Sequence, residues 1–367
     1  MRLGLVGVGL RGLNIHRYAE SMPALQIGAV CDTDPARLAR TQQELDLDPA
    51  ACFGDYEAML DSGRIGAVTI GTPMDLHAAQ SIAALQRGIH VLCAVPAGVS
   101  IEECRELAQA ARRSDALYTM AENYIFFREC LMIEELVARG EMGTPYFADG
   151  EYLHELKGLN ERTPWRRHWQ TGINGITYGT HSLGPILRWM AGDRVERVTC
   201  RGSGRWHRDP RGAVYENEAS CVALCSLRSG ALAKVRVDML SDRPHATHNY
   251  QLQGTDGAFE SARSPQEPHR VWLRSREQTA DQWLDLEEFA AELLPDWYLR
   301  HETVAREAGH NGSDFYEMLH FLECVRGEAE PRVGIDVALD MTLPGLVSQQ
   351  SIAADGEWLA VPDSRQW

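Results

Sequence analysis

The sequence predicts an α/β protein with two domains. The first is a doubly wound parallel sheet, and the second is an α+β domain with a large open, mainly antiparallel sheet. The chain has 367 residues, too many for one ordinary α/β domain. A glycine-rich turn directly follows the first apolar segment, and apolar and helical segments then alternate up to residue 123. Longer alternating segments follow, so we expect domains at 1–123 and 124–367.

The composition is that of a globular protein and argues against several kinds of partner. Apolar residues make up 44% of the chain and charged residues 24%. A net charge of −16 without a Lys/Arg run argues against nucleic acid and anionic membranes as partners. We find no apolar stretch long enough for a membrane span and no secretory signal, so we expect a cytoplasmic protein. The nine cysteines form no C-x-x-C pair, so we expect reduced thiols rather than disulfides or a metal site.

The first predicted strand, residues 2–7, runs into a turn with the spacing of a dinucleotide-binding site. Gly7 permits the tight turn, Gly9 lets the backbone approach a pyrophosphate, and Gly12 lets the following helix pack closely. That helix is predicted from Leu13 to about Glu20, and its N-terminus would offer N–H groups to the phosphates. A glycine-rich turn in another doubly wound domain is the alternative. We assign to the cofactor site the residues Gly7, Gly9, Leu10, Arg11 and Gly12.

A second strand, residues 25–31, ends at Asp32, about 20 residues after the glycine turn. A carboxylate at that position hydrogen-bonds the adenosine ribose and disfavours a 2′-phosphate, so the sequence predicts NAD rather than NADP. Further strands at 67–72, 90–95 and 116–122 bring the located strands to five. We take 116–122 as the sixth and last strand of a Rossmann sheet whose strands alternate with helices. Ligands bind at the carboxyl ends of such strands, which adds to the cofactor site Thr72, Pro73, Pro96 and Asn123.

The rest of the chain predicts an open sheet that is partly covered by helices. Its strands are expected at 145–153, 194–203, 218–227, 231–240 and 248–253. Helices are expected at 126–139, 296–307, 313–326 and 335–351. An uncovered face on such a sheet favours self-association, so we expect a homo-oligomer, a dimer or tetramer. Light scattering that finds only monomer at micromolar concentration would contradict this expectation.

Two short segments supply tyrosines and histidines at spacings that suit one site. Tyr152 and His154 alternate along a predicted strand and so share a face. Tyr178 and His181 lie three residues apart at the start of a predicted helix and project from one side of it. Aromatic packing on a buried sheet face, and a histidine that caps or packs beneath the helix, are the structural alternatives. Glu122 ends the last strand of the first sheet, where it either faces the ligand edge or caps a helix as an exposed acid.

These features resemble the Gfo/Idh/MocA oxidoreductase family over essentially the whole chain. Within that family the chain is most similar to glycoside hydrolase family 109, the NAD-dependent α-N-acetylgalactosaminidases. The segments that carry this resemblance beyond the glycine turn are 121–124, 150–155, 165–166, 178–185 and 309–315. The wider family also has a lysine after its fifth strand, where this chain has Val95; the glycosidase branch lacks that lysine too. Gly179 and Ser182 depart from the pattern of the branch.

The resemblance implies an unusual hydrolysis, in which bound NAD⁺ oxidises the sugar's C3 hydroxyl to a ketone. The ketone acidifies the C2 proton, a base removes that proton, and the glycosidic oxygen leaves C1. Water then adds and the hydride returns, so the net reaction is hydrolysis without net redox change.

The resemblance also implies roles for individual residues. His181 would accept the O3 proton with Tyr178 as its relay, and Tyr152 would be the C2 base with His154 beside it. Glu122 would orient His154 or the nicotinamide ribose, His77 belongs to the cofactor site, and Arg166 or Arg167 would bind the substrate, Arg166 being our choice. No role follows for His310 or Asp314. Two alternatives stay open: an NAD-dependent sugar or polyol dehydrogenase with His181 alone as base, and a non-catalytic NAD(H)- or sugar-sensing module.

Overall fold

The computed structural model describes residues 1–9, 21–22, 24–276 and 282–367. The helix predicted from Leu13 to about Glu20 lies outside the described residues, as do the cofactor-site predictions at Leu10, Arg11 and Gly12. The described chain forms two compact units. The first comprises Met1–Asn123, Arg300–Leu339 and Ser364–Trp367; the second comprises Tyr124–Leu299 and Asp340–Asp363.

The first unit contains a six-stranded parallel sheet, which confirms the predicted Rossmann architecture. Its strands are β1 (Arg2–Val6), β2 (Gln26–Cys31), β3 (Cys52–Phe53), β4 (Ala67–Ile70), β5 (His90–Ala94) and β6 (Tyr118–Ala121), in the order β3-β2-β1-β4-β5-β6. The described helices among them are α1 (Pro35–Glu44), α2 (Tyr56–Leu60), α3 (His77–Gln86) and α4 (Ile101–Arg113). Strand β3 has only two residues, too few for a detectable alternation, and the sequence did not locate it.

The second unit is built on a nine-stranded mixed sheet, which confirms the prediction of a large, mainly antiparallel sheet. Its strands are β7 (Pro145–Leu153), β8 (Val195–Gly202), β9 (Cys221–Leu227), β10 (Leu232–Asp238), β11 (Ala246–Gly254), β12 (Gly257–Glu260), β13 (Arg270–Leu273), β14 (Leu284–Asp285) and β15 (Leu359–Ala360). They run in the order β14-β13-β12-β11-β7-β10-β9-β8-β15, and β7 pairs with β10 in parallel while the other pairs are antiparallel. The described helices of this part of the chain are α5 (Arg128–Ala138), α6 (Lys157–Arg162), α7 (Trp165–Trp169), α8 (Thr180–Trp189) and α9 (Ala290–Leu293).

Three helices follow in the C-terminal part of the chain: α10 (Asp296–Ala305), α11 (Ser313–Val325) and α12 (Ile335–Ala353). The sequence predicts one boundary after residue 123, whereas residues 300–339 return to the first unit. The reason lies at β6, the last strand of the parallel sheet. The amide of Met120 donates to the carbonyl of Val333, and Thr119 bridges to Gly334, so a distant segment covers the open edge of β6.

Helix α8 packs unusually closely on strand β7 in the second unit. A Cβ atom at Gly150 would lie 2.9 Å from Cβ of Ser182 and 3.0 Å from Cδ1 of Ile186. Only glycine at position 150 allows this approach without a shift of the helix. The close packing brings the carboxyl end of β7 against the first turn of α8, and those two places carry the predicted tyrosine and histidine pairs. Within the described residues, none of the helices has the length and apolar character needed to cross a membrane.

Candidate active site

The described start of the turn after β1, residues 7–9, has glycines that suit a bound dinucleotide. Gly7 adopts φ +77°, and a Cβ atom there would lie 2.9 Å from backbone atoms of Gly71 and Thr72. The space around Gly9 is open by contrast. Among the described atoms, a Cβ at Gly9 would meet only Nη1 of Arg37 within 4 Å, at 3.9 Å. The first glycine therefore fits the tight turn between β1 and β4, and the second leaves room for a pyrophosphate to approach the backbone.

Asp32 lies at the carboxyl end of β2 and is 7% exposed. Its Oδ1 accepts a hydrogen bond of 2.9 Å from the amide of Asp34, and its Oδ2 lies 3.7 Å from Nη1 of Arg37. These contacts hold the carboxylate at the edge where the ribose of a dinucleotide lies in Rossmann folds. The arrangement fits NAD, because the carboxylate accepts from ribose hydroxyls.

His77 lies between the loops that follow β4 and β5. Its ring is 1% exposed, with Nδ1 2.8 Å from the carbonyl oxygen of Pro96 and Nε2 3.1 Å from that of Thr72. Both ring nitrogens thus face backbone carbonyls, and the assignment of His77 to the cofactor site stays a prediction. The ring ties together the two loops that follow β4 and β5. Thr72 itself donates from Oγ1 to Gln80 Oε1 at 2.7 Å.

The segment after β5 offers no acid or base near neutral pH. Val95 is 3% exposed and stands where the wider family carries its lysine. The neighbouring Cys93 is fully buried, and this burial raises the pKa of its thiol to about 12.

Glu122 and Asn123 follow β6, and both are completely buried. The alternative of an exposed capping acid at Glu122 is therefore wrong. The Asn123 amide group donates to Asp314 Oδ1 at 2.9 Å and to Ser313 Oγ at 3.2 Å. Its Oδ1 has no hydrogen-bond partner among the described residues, so this buried acceptor is available to a bound group.

His310 and Asp314, for which the sequence provided no role, support Asn123. Nδ1 of His310 lies 2.9 Å from Oδ2 of Asp314, whose other oxygen accepts from Asn123. The backbone at His310, Asn311 and Gly312 has φ values of +51°, +54° and +92°. Glycine adopts positive φ without cost, but His310 and Asn311 do not, and such residues persist there where surrounding contacts impose the conformation. Asp314, 5% exposed, is the group that bridges this loop to the end of β6.

The predicted tyrosines and histidines of the second unit form one ring cluster, which we call the Tyr/His cluster: Tyr152, His154, Tyr178 and His181. The ring centroid of Tyr152 lies 5.5 Å from that of His154, 5.4 Å from that of Tyr178 and 5.4 Å from that of His181. Tyr152, Tyr178 and His181 are at most 8% exposed. Two segments that lie 24 residues apart in sequence, from 154 to 178, thus converge where α8 meets β7.

Within the cluster, one hydrogen bond stands out for its chemistry. The phenol oxygen of Tyr152 lies 2.7 Å from Nδ1 of His154, with the donor set by the tautomer of the imidazole. His154 is half-buried, and its amide donates to the carbonyl of Asp238 at 2.8 Å, which continues the pairing of β7 with β10. A phenol held on an imidazole nitrogen can pass its proton to that nitrogen.

Sequence reasoning missed two aromatic residues that hold His181. The Tyr124 ring stacks on the His181 ring with 4.0 Å between centroids and 15° between planes. Tyr250 donates from its hydroxyl to the carbonyl oxygen of His181 at 2.6 Å. Tyr124 follows directly on the segment that ends the first unit, which could have flagged it. Tyr250 lies in β11, where the alternating pattern of the strand does not distinguish it from an ordinary core residue.

A buried acid and a histidine add charge near this aromatic group. Nδ1 of His248 lies 3.2 Å from Oε1 of Glu129, outside hydrogen-bond alignment, and the His248 ring is 5.0 Å from that of Phe127. Burial opposes ionisation of Glu129, but the attraction of His248 outweighs it and holds the pKa of Glu129 below its ordinary value. Burial likewise opposes the charge on His248, while Glu129 raises the pKa of His248 above its ordinary value.

The two candidate substrate arginines differ in their contacts. Arg167 donates to the carbonyl of Val214 at 2.9 Å and lies over the ring of Tyr215, so it fastens a loop. Arg166 donates to Gln170 at 2.6 Å and lies 4.4 Å from the centre of the Trp165 ring. Both are half-buried rather than solvated. Because Arg167 is committed to the fold, Arg166 stays our prediction for substrate binding.

Comparison with known proteins matches both parts of the chain. Residues 1–122 match the family model described as oxidoreductase family, NAD-binding Rossmann fold, and residues 126–366 match that of the glycosyl hydrolase 109 C-terminal domain. A glycosyl hydrolase family 109 protein of Shewanella woodyi is 30% identical over 374 residues, which cover 90% of this chain and 77% of that protein. An α-N-acetylgalactosaminidase of Shewanella oneidensis is 27% identical over 400 residues, which cover 99% of this chain and 84% of that protein.

The fold also recurs among solved structures. An inositol dehydrogenase homolog from Azotobacter vinelandii, complexed with NAD⁺, superposes with a TM-score of 0.79 at 22% identity and covers 98% of this chain and 97% of its own. The glycine turn, Asp32 and the acceptor of Asn123 fit this cofactor in the present chain. Since the second family model spans well over half of the residues, the resemblance inferred from the sequence is confirmed. The chain belongs to the glycosyl hydrolase 109 family and carries the NAD-binding Rossmann fold of the Gfo/Idh/MocA oxidoreductases.

Proposed function

We propose that the protein is an NAD-dependent glycosidase that cleaves α-N-acetylgalactosaminide-like sugars by transient oxidation at C3. The observation that carries this proposal is the Tyr/His cluster, in which a phenol hydrogen-bonded to an imidazole lies beside a second, buried imidazole. A simple alcohol oxidation needs one proton acceptor. An oxidation followed by elimination needs a second base, and the cluster offers both. The named activity of the Shewanella oneidensis relative supports the choice of sugar.

The first proton to move is that of the sugar's O3 hydroxyl. When bound, NAD⁺ supplies the hydride acceptor that allows this hydroxyl to become a ketone and later to be restored. His181 accepts the O3 proton, and Tyr178, 5.3 Å away between ring centroids, acts as its relay. The stacked Tyr124 ring keeps the imidazole of His181 in one orientation, and the bond from Tyr250 holds the backbone carbonyl of His181. The buried Val95 and Cys93 leave this task to the cluster.

The second proton is that on C2 of the sugar, which the C3 ketone makes acidic. Tyr152 removes it after passing its phenol proton to Nδ1 of His154. The electron pair of the C2–H bond becomes the C1–C2 double bond, and the glycosidic oxygen leaves C1 and takes a proton from solvent. Water then adds its oxygen at C1 and returns one proton to solvent, while Tyr152 returns a proton to C2. Bonds and protons balance as one glycoside and one water giving a free sugar and an alcohol.

Arg166, Glu122 and Asn123 complete the proposed assignments. Arg166 binds a substrate oxygen, Glu122 provides a buried carboxylate after β6, and Asn123 offers its Oδ1 to the cofactor. The expected homo-oligomer stays a prediction. The alternative function is an NAD-dependent sugar or polyol dehydrogenase, in which His181 alone acts as base. It is favoured by one observation: the same fold binds NAD⁺ in an inositol dehydrogenase homolog.

The experiment that tests the proposal is proton NMR of the purified protein in D₂O, with a panel of α- and β-glycosides and no added NAD. We expect aglycone release, with deuterium at C2 of the released sugar and no accumulation of reduced cofactor. If no glycoside is cleaved, but reduced cofactor accumulates in step with added NAD⁺ and a free sugar, the dehydrogenase replaces the glycosidase. If neither reaction occurs, a sensing module becomes the remaining interpretation.

A further inference from the structure

A third histidine lies next to the Tyr/His cluster, outside every motif of the sequence. In the antiparallel pairing of β11 with β7, Ala246 is opposite Leu153. The residues one step further along each strand, His245 and His154, therefore face each other. Their ring centroids are 4.3 Å apart with 64° between the planes, an edge contact between two imidazoles.

The loop that delivers His245 is fixed at its base. It runs from the end of β10, where Oδ1 of Asp238 accepts from the amides of Leu240 and Ser241 at 3.2 and 2.9 Å. Lys157 donates to the carbonyl of Leu240 at 2.9 Å and to Asp242 at 2.6 Å. These bonds hold the segment before His245, so the imidazole pair follows from the fold of the loop.

Exposure increases along the three rings. Tyr152 is 4% exposed, His154 is half-buried, and His245 is exposed. The phenol of Tyr152 therefore has little direct access to water, although its bond to His154 and the contact of His154 with His245 lead to the surface. A buried base that must lose and regain a proton in each cycle needs such a route.

We propose that His245 completes a proton path from the Tyr152 phenol through His154 to solvent. This inference rests on the proposed function, because it concerns the base of that reaction. The phenol proton moves to Nδ1 of His154 while the proton on Nε2 of His154 passes to His245, which releases one to water. Tyr152 is left as a phenolate, and the reverse sequence reprotonates it, so a complete cycle restores the starting charge and needs no further reactant. His245 acts through His154 and does not touch the substrate.

The path has a measurable consequence in D₂O. When it is open, the proton taken from C2 is exchanged for deuterium before it returns, and the released sugar carries deuterium at C2. When it is closed, the original hydrogen returns more often. The deuterium content per released aglycone thus reports the path separately from the rate of cleavage.

The experiment compares the wild-type holoenzyme with His245→Ala and His245→Gln, and uses His168→Ala, an exposed histidine on α7, as matched control. We expect the His245 variants to lose deuterium at C2 and to turn over about ten-fold more slowly, a smaller loss than for a group at the reacting atoms. Added imidazole should restore the deuterium content at C2 and the turnover rate in His245→Ala, since a diffusible imidazole can replace the missing ring. His168→Ala should match wild type and not respond to imidazole.

Three results would overturn the relay. Wild-type deuterium content in both His245 variants would mean that protons leave Tyr152 by another route. A slower enzyme that imidazole does not restore would mean that His245 serves the loop structure alone. Absence of aglycone release by the wild-type enzyme would remove the proposed function and the relay with it, and the wild-type measurement alone identifies that case.

Discussion

The ring of Tyr124 lies parallel to that of His181, with 4.0 Å between the centroids and 15° between the planes. Both side chains are 3% exposed. Tyr124 is the first residue after the parallel-sheet unit, and His181 lies in the first turn of α8. The stack orients the imidazole that we propose as the O3 proton acceptor, and the bond from Tyr250 holds the backbone carbonyl of the same residue.

Replacing Tyr124 by Leu should therefore disturb both stability and catalysis. Loss of a buried aromatic contact is worth about 0.5–1.5 kcal/mol beyond area burial, and the altered volume adds to that cost. We expect a lower free energy of unfolding in denaturant titration, and turnover reduced by about ten-fold because His181 loses its orientation. Tyr124→Phe keeps the stack and is the matched control. Equal turnover in Tyr124→Leu and wild type would show that the stack does not orient His181.

Tyr152→Phe should separate the two proton transfers. The ring and its packing stay, but the base at C2 is gone, so elimination should fall by about 10²–10⁴-fold. Oxidation at C3 should persist, and reduced cofactor should then accumulate on the enzyme in single-turnover absorbance measurements. If aglycone release continues undiminished, Tyr152 is not the C2 base.

His181→Ala should block the reaction one step earlier. Without the acceptor for the O3 proton, neither reduced cofactor nor aglycone should form at more than about 10⁻²–10⁻⁴ of the wild-type rate. NAD binding, measured by calorimetry, should be unchanged, since the glycine turn and Asp32 lie on the other unit. A variant that still reduces bound NAD⁺ on mixing with substrate would refute the role of His181.

The pair of Glu129 and His248 should make stability depend on pH. The pKa of His248 is raised above its ordinary 6.5, so its contribution is complete below pH 6.5 and is lost as pH rises through the folded-state pKa. The pKa of Glu129 is lowered below its ordinary 4.5, so its contribution is present above pH 4.5 and is lost as pH falls through the folded-state pKa. The pair should stabilise the fold most between these two values.

His248→Gln tests this dependence, with His168→Gln as the exposed control. Denaturant titrations across the neutral range should show a wild-type stability that declines toward alkaline pH, and the decline should be smaller in His248→Gln. An unchanged slope in that variant would assign the pH dependence to other groups.

Asp32→Ser should change the cofactor preference. Loss of a charged acceptor for the ribose hydroxyls costs about 1.5–3 kcal/mol, or roughly ten- to a hundred-fold in the Kd for NAD. The same change removes repulsion of a 2′-phosphate, so binding of NADP should improve relative to NAD in calorimetry. Glu44→Gln, on the exposed side of α1, is the control. An unaltered ratio of the two affinities would mean that Asp32 does not contact the ribose.

Much of the fold was readable from sequence because its periodicities are strong. The apolar strands of the parallel sheet other than β3, and the alternating strands such as β7 and β10, all came within a few residues of their observed bounds. Strand β3 is too short to alternate, and the return of residues 300–339 to the first unit depends on backbone bonds between β6 and Val333. Backbone hydrogen bonds of this kind do not depend on which side chains are present, so the sequence pattern does not reveal them.

The same division holds for the site. Spacing alone determined that Tyr152 shares a strand face with His154 and that Tyr178 and His181 come together at a helix start, since both follow from local geometry. Only the tertiary structure decided that the two pairs meet, that Tyr124 stacks on His181, and that His245 faces His154. It also placed the His77 ring between the carbonyls of Pro96 and Thr72. Those relationships join segments that are far apart in the chain. They depend on the close packing at Gly150 and on the register between strands, and local sequence determines neither of these two features.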